Sequence, residues 1–144
     1  MKYQKGKVGR IIVARFEDRE DILGNVSEIA KKENIRNAVV YLIGGVKQGR
    51  IVVGPEQEEL PPKPIWREIK ESHEVLAMGT IFCHEDEPKI HLHGTFGKRD
   101  TVHVGCLRET SETFLVLEMI LLEIEGIDAQ RAYDETSGLT LLKL

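Results

Sequence analysis

Two histidines, His91 and His93, flank one leucine shortly after Pro88, in a stretch that reads as a β-strand. Alternate strand residues share a face, and at about 3.3 Å of rise per residue their Cα atoms lie about 6.6 Å apart. Both rings can then swing onto one ion at about 2.0 Å, so the pair reads as half of a metal site. A bland reading stands beside it: one ring is satisfied in the core and the other wet, or both solvate an exposed face.

A third donor would have to come from the next strand. Gly97-Lys98-Arg99-Asp100 reads as a turn, so Lys89–Phe96 and Thr101–Leu107 are expected to pair antiparallel. The second segment offers His103 and Cys106, an odd number of residues apart, so a regular strand points them to opposite faces. Register decides between them. A loop of two or four residues sets Cys106 opposite His91 and turns His103 away; a loop of three sets His103 opposite Thr95, on the histidine face. A bulge at Gly105 would let both turn inward.

Other residues able to do chemistry have ordinary explanations. His73 and His84 sit beside Glu74 and Glu85, where a solvated imidazole is the default. Arg108 and Glu109 follow the second donor strand, as pocket lining or as exposed strand-end charges. Glu118 and Glu123 interrupt an apolar run, which places each at a surface, at a subunit interface paired with a base, or in a site. For Arg131 and Asp134 an ion pair or a turn cap pinning the C-terminal segment suffices. There is no nucleophile elbow, phosphate-binding P-loop or dinucleotide fingerprint.

The elements around these residues are mixed. Val8–Phe16 reads as a strand, Asp18 as an N-cap, and Ile22, Val26 and Ile29 recur at helical spacing up to Glu33-Asn34. Ala38–Ile43 and Val46–Val53 flank Gly44-Gly45, which reads first as a hairpin or sharp crossover and second as a place of close backbone approach. Gly54–Pro64, with four prolines among glutamates, is a stiff loop. Ile65–Lys70 and Val75–Cys83 read as strands. Phe114–Ile124 is apolar almost throughout, and its branched and aromatic content favours strand over helix.

At 144 residues and 41% hydrophobic, the chain has the size and apolar content of one globular domain. No apolar segment follows the charged N-terminus and none is long enough to cross a bilayer, so a soluble, cytoplasmic protein is expected, with Cys83 and Cys106 as free thiols. The net charge of −4, without a periodic face of Lys and Arg, disfavours direct DNA binding.

Several runs together resemble the PPC domain (plants and prokaryotes conserved), over nearly the whole chain. They are Ile43-Gly44-Gly45-Val46, Gly79 ahead of Pro88-Lys89-Ile90-His91-Leu92-His93, Gly105 and Leu107, and most specifically Arg131-Ala132-Tyr133-Asp134-Glu135-Thr136-Ser137-Gly138-Leu139. The resemblance implies an α+β fold, a largely antiparallel β-sheet with a few flanking helices in a single compact domain over residues 1–144. It also implies a homotrimer and a divalent-metal site. In the family a Gly-Gly-His-Leu strand completes a three-histidine site, whereas this chain has Val104-Gly105-Cys106-Leu107. Cys106 then takes the third position with His91 and His93, most simply around zinc. The same replacement is what a site that had lost its metal would carry, with Cys106 a small buried residue. The functions implied are a metal-binding interaction domain, a small metalloenzyme with a metal-activated water, or a DNA-associated regulator.

Overall fold

Every segment expected to be a strand is one, most of them through alternation of apolar and polar residues, and the computed structural model describes all 144 residues, Met1–Leu144. Strand β1 is Lys7–Glu17, helix α1 Ile22–Lys32, β2 Asn37–Pro55, β3 Pro64–Ile69, β4 His73–His84, β5 Glu87–Lys98, β6 Thr101–Glu125, β7 Gln130–Asp134 and β8 Leu139–Lys143. The first six strands form one antiparallel sheet and β7 and β8 a separate pair. The few flanking helices expected reduce here to α1 alone, because the other apolar segments either alternate as strands do or, in Phe114–Ile124, are rich in branched and aromatic residues.

Two strands are far longer than the sequence suggests. β2 pairs with β4 through its first half and with β3 through its second. β6 pairs with β5 near its start and with β1 near its end, and along much of its length with β2. The circuit β2–β4–β5–β6–β2 therefore closes on itself. The expected turn at Gly44-Gly45 is not a turn: both glycines lie inside β2, and the register against β6 shifts between them. A Cβ on Gly44, which has φ +139°, would strike the Val116 carbonyl, and one on Gly45 the Phe114 carbonyl. Close strand approach, not chain reversal, is what the pair provides. On β6, Glu109 and Leu115 have left-handed φ of 56° and 63°, and the register shifts cluster in the same stretch. These irregularities bend β6 from one set of partners to the other, so Arg108 and Glu109 are not strand-end residues.

Helix α1 begins one turn later than expected, with Asp21 rather than Asp18 at the N-cap. Both aspartates are used on β6 instead: Asp18 Oδ1 accepts the Leu115 amide at 2.8 Å and Asp21 Oδ1 the Ser111 amide at 3.3 Å. They satisfy amides that the bent strand leaves without ladder partners. Ile22, Val26 and Ala30, at i, i+4 and i+8, are buried in the core with Phe16, Leu42, Leu92, Phe96, Leu117, Met119 and Leu121. Each large apolar side chain buried there contributes about 1.5–3 kcal/mol. Proline-rich Gly54–Pro64 connects β2 to β3 as expected, although β2 runs on to Pro55.

The opposite sheet face is largely uncovered. Register links Val13, Ile120, Tyr41, Met78 and His93 into one row across β1, β6, β2, β4 and β5. Val13 is 75% exposed, Met78 59%, Ile120 47% and Tyr41 42%. The donor histidines thus stand at the end of an apolar stripe.

Candidate metal centre

The turn between β5 and β6 consists of Arg99 and Asp100, with Lys98 directly opposite Thr101. This two-residue loop sits one position later than the expected turn would place it. Cys106 consequently lies opposite His93 rather than His91, still on the histidine face. His103 lies opposite Phe96 and so belongs to the other face, its ring 6.3 Å from that of His73. No bulge occurs at Gly105, which pairs in register with Gly94.

His91 Nε2 and His93 Nε2 are 3.0 Å apart, with the rings edge to face at 78°. The donor atoms of His91, His93 and Cys106 all lie within 4.8 Å of one another, the one group of three or more His, Cys, Asp or Glu side chains so placed. A tetrahedral ion with nitrogens at about 2.05 Å and sulfur at about 2.3 Å needs N···N near 3.3 Å and N···S near 3.6 Å. The imidazole pair already meets that, and the widest separation has to close by about 1 Å, within reach of side-chain rotation.

His91 is half-buried, His93 exposed and Cys106 buried. Burial, reinforced by His93, Arg131 and Arg108, pushes the His91 imidazole down to about 4, so the ring is neutral and keeps a lone pair for coordination. Burial also raises the Cys106 thiol, opposed by Arg108, by a backbone hydrogen bond from Leu92 and by Arg131. A cation would have to displace that proton on binding.

The surroundings of this trio were not legible as a site. Thr80 lies directly opposite His91 on β4, and Arg131 Nη2 donates to its hydroxyl at 3.1 Å. The same guanidinium stands 5.7 Å over the Phe82 ring. The hydrogen bond to Thr80 takes the place of the expected ion pair, and it brings the C-terminal hairpin against the donor face. Burial, then the charge of Arg108, lowers the Arg131 guanidinium. Arg108 follows Cys106 by two residues on a regular stretch of β6, hence on its face. The remaining side chains have structural roles. His73 Nδ1 donates to the Glu71 carbonyl at 2.7 Å and His84 Nδ1 to that of Arg131 at 2.9 Å, so neither ring is simply solvated. Glu123 holds Arg10 through both carboxylate oxygens, at 2.7 and 3.0 Å. Asp134 caps its turn, accepting from the Ser137 amide and hydroxyl. Cys83 and Cys106 are both free.

Comparison with known proteins agrees with this architecture. The profile of the Plants and Prokaryotes Conserved (PCC) domain matches residues 3–125, and the chain belongs to that family. A metal-containing protein of Archaeoglobus fulgidus superposes with a TM-score of 0.88 at 25% identity, all of both chains being covered. A plant- and prokaryote-conserved (PPC) protein of Pyrococcus horikoshii gives 0.86 at 27% identity, covering 100% of this chain and 98% of that one. A candidate DNA-binding protein of Bacteroides thetaiotaomicron, at 17% identity, gives 0.79 with 96% of each chain covered, a likeness of fold alone. No curated protein matches the sequence. No helix is long and apolar enough to cross a membrane.

Proposed function

We propose that this protein is a metal-binding interaction domain that holds one divalent ion, zinc, through His91, His93 and Cys106, and that it works as a homotrimer. The observation that carries the reading is the convergence of two imidazole nitrogens and a thiol within 4.8 Å on one sheet face. That donor set is borderline-soft, which suits zinc over magnesium or calcium, and three protein ligands leave a fourth position for water or a ligand. The metal-containing relative of Archaeoglobus fulgidus supports the same reading. Binding is preferred to hydrolysis because the donor group includes no carboxylate, and the charged side chains beside it, Arg108 and Arg131, cannot take a proton from a coordinated water. The exposed apolar row from Val13 to Met78 supports assembly with further copies, since a stripe of that kind is costly to leave in water. DNA binding draws support only from fold relatives, and the net charge of −4 opposes it.

The test is metal content by inductively coupled plasma mass spectrometry on tag-free, reduced protein, with His91→Ala and Cys106→Ala alongside. About one zinc per chain, lost in both variants, is expected. Cobalt substitution adds a readout of the sulfur, a thiolate-to-cobalt charge-transfer band that disappears in Cys106→Ala. Wild-type protein that takes up neither metal after reconstitution would sink the reading.

A further inference from the structure

The charges around the donor trio do not balance. Arg10, Arg15, Arg19, Arg36 and Arg50 each have a carboxylate within ion-pair distance. Arg67, Arg99, Arg108 and Arg131 have none; of these four only Arg131 is half-buried, where an unpaired guanidinium is costly, and only Arg108 and Arg131 stand beside the donor trio. Lys89, on the same face of β5 as His91 and His93, is likewise outside every ion pair, and Glu87 further along that face is held by Lys31 at 2.6 Å. Glu109, next to Arg108, is taken by Arg50 with contacts of 3.0 and 2.8 Å. Two neighbouring acids, Glu87 and Glu109, are therefore held by other bases, and Arg108, Arg131 and Lys89 stand near His91, His93 and Cys106 without a carboxylate partner.

We propose that Arg108 and Arg131 make this face a receptor for a small oxyanion, a carboxylate or phosphate group that their planar donor forks grip beside the histidine and cysteine side chains. Guanidinium forks match such groups two oxygens at a time, and Arg131 is already oriented by its bond to Thr80 and by the Phe82 ring beneath it. A partly buried cation is screened less than an exposed one, so Arg131 attracts an anion more strongly than a surface lysine does. The proposal rests on and deepens the metal reading, since an ion held by three protein donors would have a position left for the same anion, but the arginines alone define the receptor.

Inorganic phosphate is the probe, titrated at constant ionic strength against metal-stripped and zinc-loaded protein and followed by amide chemical shifts. Saturable shifts of residues around Thr80, His91 and Arg108 are expected, weakened at least tenfold in Arg108→Gln and in Arg131→Gln. Arg131→Lys, which keeps the charge but loses the fork, is expected to fall between, and Arg15→Gln to match wild type. Arg108 is exposed, so its variant should keep the native spectrum even if loss of Arg131 loosens the hairpin. Zinc content is measured on the same samples. Arginine-dependent phosphate binding without zinc uptake would leave this proposal standing and remove the metal reading. Zinc uptake with phosphate binding that is absent, or indifferent to both arginines, would overturn this proposal and leave the metal reading intact.

Discussion

Gly79 is where fold and donor site meet, and replacing it with alanine tests that link. It lies on β4 directly opposite Leu92, the residue between the two donor histidines. An added Cβ would stand 2.7 Å from the His91 carbonyl oxygen, 2.7 Å from Leu92 Cδ1 and 3.0 Å from Leu92 Cα. Ordinary carbon contacts lie at about 3.5–4.0 Å, so β5 has to retreat by roughly 0.5–1 Å. Two of those atoms are backbone and cannot rotate away. Overpacking of this kind costs about 1–3 kcal/mol, offset by the 0.4–1 kcal/mol or so that alanine gains by restricting the unfolded chain. The net expectation is a loss of about 1–2 kcal/mol, a fall in Tm of roughly 3–8 °C for a chain of this length. Urea unfolding of metal-free protein measures it, with Gly97→Ala as the control. A Cβ on Gly97 has nothing within 4 Å, and that variant should equal wild type or exceed it by up to about 1 kcal/mol. Because the strain falls on the His91 peptide, Gly79→Ala should also weaken zinc binding. A Gly79→Ala protein as stable as Gly97→Ala would refute the close-packing argument.

Two further expectations concern other parts of the molecule. Hydrogen bonds from Arg10 hold the Glu123 carboxyl below its usual range, so this pair stabilises the fold above the unfolded carboxylate pKa and the benefit disappears as pH falls through the lower folded value. Glu123→Gln should be slightly less stable than wild type at pH 7 and indistinguishable from it under strongly acid conditions; a gap in thermal unfolding that persists in acid would contradict the assignment. Along the apolar row, Tyr41→Asp or Ile120→Asp places a charge in the middle of the surface that copies are proposed to share. Light scattering should report a trimer for wild type and monomers for both variants, and a wild-type monomer would remove the homotrimer from the proposal.

Much of the local structure is written in the chain. Alternation of apolar and polar residues marks β1 and the cores of β3, β4 and β5, helical spacing marks α1, and the prolines of Gly54–Pro64 mark a loop. The i, i+2 spacing of His91 and His93 fixes their common face without reference to anything else. Gly44 and Gly45 could not be read this way, because a glycine pair looks the same whether the chain turns or a neighbouring strand presses on it. Only the path of β6 shows that the Val116 and Phe114 carbonyls occupy the space. Nor could local pattern reveal that Thr101–Glu125 is one strand, since left-handed residues at Glu109 and Leu115 interrupt its alternation.

Spacing along the chain marks the residues that carry donor chemistry: two imidazoles two apart, and a downstream choice between His103 and Cys106. It could not make that choice, because a loop longer or shorter by one residue exchanges which of the two faces the histidines. The Lys98–Thr101 pairing made it, setting Cys106 beside His93 and His103 beside Phe96. Tertiary structure alone brought Arg131 to Thr80, a contact between residues 51 positions apart, and with it the cationic setting of the donor trio. Periodicity records which way a side chain faces along its own strand; which distant strand or hairpin comes to lie beside it depends on how the whole sheet closes.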